Sequence, residues 1–488
     1  MDALTQTLIA SSPRLTPTTT PLRSLIIHGA VLCLWLLLIG AAFMLGGVFA
    51  WSVGIAYIVY DTLLLGFVAW QLRALYRSTD PATVPASGPA TVRHPTVGVI
   101  VAAYNEAAAL PLTLSALLKQ RDMPDVIVIA DDGSDDGTAA MLEQRYGLQA
   151  PAEGELSGAG SVHPALRWLR APHGGKARTL NAAALCVETE VVITVDADTL
   201  LAPGAVAAFR DAFAGELELV AATGVLTPIC GNSWGAGILQ WFQTYEYIRN
   251  FLSRYAWMRA DSLLLISGAF AGFRRKSMLS VGGFDPDCLV EDYELIHRLR
   301  RAALARGESW RFRVIGAAQA RTDAPNSVPA FLRQRQRWFG GFLQTQYWYR
   351  DMVGDRRYGK LGLWMLPVKA IDTLQPLYGL AAFVLLVNYL VSGRLNVLLP
   401  VSAVILAKIA VDLVFHLASV HWYRRWVGDA RRTSFIAALL AALAEPFTFQ
   451  LLRHSGAAMG WWAFLGGRRV WSRQNRSGLL NSSDPSTH

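Results

Sequence analysis

Glu190-Val-Val-Ile-Thr-Val-Asp-Ala-Asp-Thr199 is the stretch on which the reading of this chain turns. Five β-favouring residues, Val191 to Val195, predict a strand buried on both faces, and it runs straight into Asp196 and Asp198. Two carboxylates one residue apart at a strand's C-terminal end turn toward the crevice where open α/β sheets bind ligands. Such a pair is costly to ionise together unless a cation shares it, and oxygen-only ligation suits Mg2+ or Mn2+. By itself Asp-x-Asp after a strand is equally a solvated turn, so the neighbouring segments have to decide.

Upstream the texture alternates. Strands are predicted at 97–102, 126–129 and 166–170, and helices at 106–120, 138–145 and 177–186, with a polar Gly-rich loop at 149–163. This βαβαβ order predicts a parallel, doubly wound sheet, whose strand ends all open on one crevice. The first strand ends in Tyr104-Asn-Glu106 and the second in Asp131-Asp-Gly-Ser-Asp-Asp-Gly137. Tyr104 offers a stacking face, while Glu106, Asp131 and Asp132 offer acceptors for ribose hydroxyls or a base N–H. The competing reading is turn and helix-cap chemistry, which favours the same residue types. His173-Gly-Gly-Lys-Ala-Arg-Thr-Leu-Asn181 adds what the acids lack: glycines that let backbone approach an anion, a helix start, and the point charge of Lys176. It lacks the Walker spacing, and a solvated lysine at a helix start is the alternative.

The flanks of this region belong to a different solvent. Of 488 residues 53% are hydrophobic and only 17% charged, with a mean hydropathy of +0.30. The apolar residues gather at both ends. Residues 1–23 are Thr/Ser/Pro-rich and predict a mobile cytoplasmic tail. The run 25–72 carries one formal charge, Asp61, and is long enough for two spans with a break near Gly46-Gly47. A cleaved signal peptide does not fit, because the first run is too long and a second follows at once. Residues 73–96 predict a linker, 361–367 an interfacial segment, and 373–390 and 395–417 further spans. A last run, 435–452, contains Glu445-Pro446 and is either a full crossing or re-entrant; beyond it, 467–488 is a basic tail. The net charge of +9 comes from arginines beside apolar runs, the positive-inside pattern rather than a nucleic-acid surface. Lys408 and Asp412, four residues apart, either neutralise each other or, with Asp61 and Glu445, line a polar path. Four scattered cysteines, Cys33, Cys186, Cys230 and Cys288, match no zinc or disulfide spacing and predict free, mostly buried thiols.

Taken together, Tyr-Asn-Glu, Asp-Asp-Gly-Ser-x-Asp, Gly-Lys-x-x-x-Leu-Asn and Asp-Ala-Asp stand in the order found in membrane-bound family 2 processive glycosyltransferases. Ser267-Gly-Ala-Phe-Ala-Gly-Phe-Arg-Arg275, Val281-Gly-Gly-Phe284, Val290-Glu-Asp-Tyr-Glu-Leu295 and Gln334-Arg-Gln-Arg-Trp338 extend the match. The chain resembles cellulose, hyaluronan and, most closely in texture, poly-N-acetylglucosamine synthases, from about residue 97 to 341. The resemblance implies a GT-A-type α/β domain, 97–345, inserted between transmembrane helices, with more such helices over 346–466. It implies an inverting, metal-dependent transferase that moves sugar from a UDP-sugar, UDP-N-acetylglucosamine or UDP-glucose, onto a growing polysaccharide at the cytoplasmic face of a bacterial plasma membrane. It also implies export of that polymer, with an accessory export subunit as a further expected partner. Addition of one sugar to a membrane lipid is the alternative.

Residue by residue, the resemblance implies that Tyr104, Glu106, Asp131 and Asp132 hold the nucleotide. Lys176 and Asp196 would serve the diphosphate, and Asp196 and Asp198 an Mg2+ or Mn2+ ion. Asp292 would be the general base, with Glu291 either tuning it or purely structural. Gln334, Arg337 and Trp338 would meet acceptor sugar and diphosphate. Val290 replaces the family's usual threonine beside that base.

Overall fold

A computed structural model describes residues 2–76, 94–428 and 433–467. Most of the expected linker, Arg77, and the basic tail from residue 468 onward lie outside the described residues.

The expected strands form: β1 (Val97–Ala103), β2 (Val126–Asp131), β3 (Leu166–Arg170) and β4 (Val191–Asp196). The last of these is buried along its length until Asp196, as its run of β-branched residues requires. β1 pairs in parallel with both β2 and β4, and β2 with β3. Register brings Ala103 opposite Asp131 and Ala102 opposite Asp196, so two acidic strand ends flank the end of β1. The helices between these strands are α4 (Leu110–Leu118), α5 (Thr138–Tyr146) and α6 (Lys176–Cys186), right where the alternating texture puts crossovers.

Four further strands complete an eight-stranded sheet of order β3-β2-β1-β4-β7-β6-β8-β5. They are β5 (Thr199–Leu201), β6 (Leu219–Ile229), β7 (Phe270–Arg274) and β8 (Arg311–Asp323). β7 runs antiparallel to both β4 and β6, so the parallel arrangement expected throughout holds for one half of the sheet and the other half is mixed. The cause is the connection. β6 is followed by a long helix, α8 (Trp234–Arg259), and a loop that returns the chain to β4 from the opposite end. This half also contains α7 (Ala205–Gly215), α9 (Arg275–Leu279) and α10 (Glu291–Arg306), and it is followed by α11 (Val328–Trp348).

Around this sheet lie the long apolar helices. Segments Leu22–Met44, Gly47–Tyr76, Leu361–Val391 and Leu395–Val427 are each long and apolar enough to cross a membrane. They contain α2 (Leu22–Met44), α3 (Ser52–Leu72), α12 (Leu366–Val391) and α13 (Leu395–Val427). The break between the first two falls at residues 45–46, at the glycine pair. Residues 361–367, expected as a separate interfacial piece, form a π-helical turn continuous with α12. Leucines 25, 32, 36 and 37 of α2 point outward, as lipid contact demands. α14 (Phe435–Ala444) and α15 (Phe449–Leu465) are bent by 50° at the Glu445-Pro446 turn, so the last run is a broken element rather than a straight span. The N-terminal residues are not a free tail. They form α1 (Ala3–Ser11), which packs on the sheet domain.

Candidate active site

The helix carrying Lys176 is positioned by a carboxylate. β2 runs out into Asp131-Asp132, both buried, and the Asp132 carboxylate accepts the backbone N–H groups of Gly174 at 2.9 Å and Gly175 at 3.0 and 3.1 Å. Thr179 Oγ1 is a third donor to it, at 2.8 Å. Gly175 has φ +91°, a conformation that side chains resist, and this turns its N–H inward. His173 contacts Asp132 at 3.0 Å and stacks on Tyr104, ring centroids 4.4 Å apart. Asp131 accepts from Ser134 N at 3.0 Å, and Asn105 joins the first loop to the second through Ser134 and Asp135. The Tyr104–Glu106 and Asp131–Asp132 loops are thus one stitched unit beside the start of α6. In this unit Asp132 works as a cap, and His173 is an aromatic partner that the sequence did not single out.

Lys176 extends from that helix start to Asp196 Oδ1 and stands 3.9 Å from Glu291. Burial alone would lower its ammonium; Asp196 and Glu291 reverse that and hold it above the ordinary lysine value. Glu291 and Asp292 open α10, at the positive end of its dipole. Glu291 is buried, and burial raises its carboxyl above the usual range despite Lys176, with Asp292 pushing the same way and Arg337 opposing. Asp292 is held by both oxygens: Oδ2 accepts Gly268 N at 2.7 Å and Oδ1 accepts Tyr293 N at 2.8 Å. Gly268 lies two residues before β7, whose pairing with β4 brings the Asp196 strand end and the Asp292 helix start together. Val290, in place of threonine, lies against Gly341 of α11; a Cβ at 341 would come within 2.6 Å of its methyl. The position is therefore an apolar contact between α10 and α11.

α11 carries Gln334, Arg337 and Trp338. Together with Lys176, Asp196, Glu291 and Asp292 they line one cavity of about 500 Å3. Gln334 is buried, and its Oε1 has no hydrogen-bond partner among the described residues. Arg335 covers Trp338 at 4.6 Å and is anchored to Glu246 of α8 at 2.6 Å. Glu246 also meets Arg453 of α15, which continues to Glu445 and Arg249. This ionic chain ties Trp338 to the bent pair α14–α15. Arg254 of α8 also lines the cavity, with Nε and Nη1 buried and unpaired among the described residues. Burial lowers its guanidinium to about 10, and Asp292 opposes the shift. No sequence motif marks it, because an arginine on an amphipathic helix is ordinary.

Tyr104, Glu106, Asp131, Asp132 and Asp198 do not line this cavity. Asp198 is buried in the turn between β4 and β5, where its carbonyl accepts Asp323 N at 3.2 Å. Of the pair expected to hold a divalent cation, Asp196 lines the cavity and Asp198 does not, and no group of three or more His, Cys, Asp or Glu able to hold an ion exists among the described residues. Two carboxylates fit Mg2+ or Mn2+, which commonly take the rest of their shell from water and substrate phosphates.

From the membrane side the same cavity is lined by Tyr60 and Asp61 of α3, Lys369, Asp372 and Gln375 of α12, and His454 of α15. Asp61 bonds Lys408 of α13 at 2.6 Å, and Lys408 also meets Asp412. The lysine is thus neutralised by two helices, and of the trio only Asp61 faces the cavity.

Residues 98–282 match a family model described as glycosyl transferase family 2, and residues 191–402 one described as glycosyl transferase family group 2. The chain is 26% identical over 281 residues to the poly-beta-1,6-N-acetyl-D-glucosamine synthase of Staphylococcus aureus (strain COL). It is 25% identical over 284 residues to that of Staphylococcus epidermidis. These matches take in 57% and 58% of this chain and 62% of each relative. Among solved structures, a mannosyltransferase from Pyrobaculum calidifontis in complex with GDP-Man and Mn2+ superposes with a TM-score of 0.51. At 20% identity it covers 81% of this chain and 99% of its own, a likeness of fold.

Proposed function

Because the chain carries a family 2 glycosyltransferase domain set among helices of membrane-crossing length, we propose that it extends a polysaccharide from a UDP-sugar and passes the product into the membrane. One observation carries this reading: a single cavity is lined both by Lys176, Asp196 and Asp292 and by polar side chains of α3, α12 and α15. A lone acceptor hydroxyl needs no polar passage among apolar helices, whereas a chain that lengthens by one sugar at a time does. The 26%-identical relatives are synthases of poly-beta-1,6-N-acetyl-D-glucosamine, which favours UDP-N-acetylglucosamine over UDP-glucose as donor. Arginines 23 and 73 flanking the first pair of spans favour a cytoplasmic catalytic domain in a bacterial plasma membrane.

In this reading an acceptor hydroxyl oxygen attacks the anomeric carbon from the face opposite the diphosphate, and its proton passes to Asp292. The two backbone N–H bonds to Asp292 keep the carboxylate oriented and leave each oxygen a further lone pair for that proton. The bond from C1 to the diphosphate oxygen breaks with its electron pair, and UDP leaves. Lys176 and Arg337 offset the charge that develops there. A divalent cation on Asp196 and Asp198 would supply Lewis-acid neutralisation of the diphosphate. Tyr104, Glu106 and Asp131 would hold the nucleoside, and Asp132 would keep the Lys176 helix start in place.

Membrane vesicles containing the protein, supplied in turn with each of a panel of labelled UDP-sugars, should convert one of them to long polymer. A labelled lipid carrying a single sugar as the sole product would replace this reading with lipid glycosylation.

A further inference from the structure

Residues 3–14 hydrogen-bond to the rest of the protein through one loop, 281–287, and that loop leads into α10 and is bonded to α6, the two helices that carry the proposed catalytic charges. α1 is capped by Asp2, which accepts Thr5 N at 2.7 Å, and it lays Leu8 over Gly282. A Cβ at position 282 would fall 2.5 Å from Leu8 Cα, and the φ of +91° there also excludes other residues. Ser11 Oγ donates to Val281 O at 2.7 Å. Arg14 Nε and Nη2 then donate to the two oxygens of Asp285, each at 2.7 Å, with Asp287 at 3.3 Å. The Asp285 side chain is wholly buried.

The other side of the loop is bonded to the catalytic helices. Phe284 exchanges both backbone groups with Asn181 of α6, five residues after Lys176: N to Oδ1 at 2.7 Å and O from Nδ2 at 2.8 Å. Val281 O also accepts Arg298 Nη1 of α10 at 2.5 Å. Asp285 starts the turn into α10, taking Asp287 N on Oδ1 at 3.1 Å and Cys288 N on its carbonyl at 3.3 Å. Arg298 cannot readily substitute for Arg14, since its other nitrogens are committed to Glu294. Without Arg14 the Asp285 carboxylate would be a buried charge lacking its bidentate partner, and the loop would have to move to hydrate it.

We propose that residues 3–14 are a strap that positions the catalytic pair, with Arg14 acting through Asp285 to set where Lys176 and Asp292 stand. Arg14 is a positioning residue here, and its effect on turnover rests on the glycosyl-transfer reading above. Its effect on the loop does not. Arg14→Ala in the full chain should lower kcat about ten- to a hundredfold, the cost of misplacing reacting groups by a fraction of an ångström to an ångström. The donor KM should change less than kcat, since the loops proposed to hold the nucleoside lie elsewhere and only the Lys176 contact to the diphosphate is displaced. Arg14→Lys should recover part of that loss. Backbone hydrogen exchange across 281–292 should speed up in Arg14→Ala, while exchange in β1 and β4 stays that of the parent. Unchanged exchange at 281–292 overturns the strap whether or not the protein proves to be a transferase. So does a wild-type kcat in an active Arg14→Ala protein. Loss of kcat with equally fast exchange throughout the sheet, not rescued by lysine, would make Arg14 a general folding contact and also overturn it. A parent that transfers no sugar would sink the functional reading alone, and the exchange measurement would still decide the strap.

Discussion

Asp292 is held in place by two backbone donors, whereas Glu291 beside it is buried and raised toward its neutral form. Two adjacent acids thus have different environments, and the one with the fixed, half-exposed carboxylate suits proton acceptance. Asp292→Asn keeps one of the two backbone contacts on its amide oxygen, sets its NH2 against the other donor, and removes the basic site. Turnover should fall about 10²–10⁴-fold with UDP affinity unchanged, measured by single-turnover transfer alongside UDP titration. Equal loss of UDP binding would make the residue structural. Asp196 and Asp198 give a second expectation. Chelation of divalent ions in vesicles should abolish transfer, and Mg2+ or Mn2+ should restore it, while Asp198→Asn should lose most activity at saturating ion. Full activity after exhaustive chelation would leave Lys176 and Arg337 to neutralise the diphosphate by themselves. The sequence made Asp292 and the Asp-x-Asp pair legible because chemistry restricts residue type there. Arg254 was not legible, since only burial beside Asp292 sets it apart from any other helix arginine.

α10 brings charged and aromatic side chains into one buried layer. Glu294, fully buried, accepts two bonds from Arg298 and one from Tyr349 at 2.6 Å. His297, one turn from Tyr293, bonds its carbonyl at 2.9 Å, and burial pushes its imidazole down to about 4 from an ordinary 6.5. A histidine whose folded value is depressed leaves stability intact above pH 6.5 and removes it as pH falls toward 4, because the unfolded chain takes up the proton first. The purified protein should therefore lose about 2 kcal/mol of stability between pH 7 and pH 5 through this residue. His297→Gln should show a correspondingly shallower decline in chemical-denaturation midpoint over the same window, and an unchanged slope would mean that the imidazole is solvated. Helix periodicity predicted elements such as α6 well, since their apolar face is local. The mixed half of the sheet was not legible, because antiparallel pairing of β7 with β4 depends on partners 75 to 83 residues apart in the chain.

For the molecule as a whole, the decisive feature is that the sheet crevice and the polar faces of α3, α12 and α15 share one cavity. Trp338 lies on its wall, backed by Arg335 and the ionic chain through Glu246 to Arg453. An indole offers a pyranose a flat apolar face that does not depend on which hydroxyls it carries. Trp338→Ala should shorten the polymer and cut its yield while leaving UDP binding near that of the parent, as read by sizing labelled product. Polymer of unchanged length and amount would remove the stacking platform from the mechanism. By itself the sequence determined the helices long and apolar enough to cross a membrane, the four parallel strands and the acidic strand ends, because hydropathy and β-branched runs act locally and strand ends carry their residues with them. Only the tertiary structure decided that Asp132 caps the Lys176 helix, that Val290 is a packing contact against Gly341, and that Lys408 is neutralised from two helices. It also turned the supposed mobile tail into a helix latched to Asp285. Each of these rests on a partner distant in sequence, and burial gives a charge or a methyl its role only once that partner is in place.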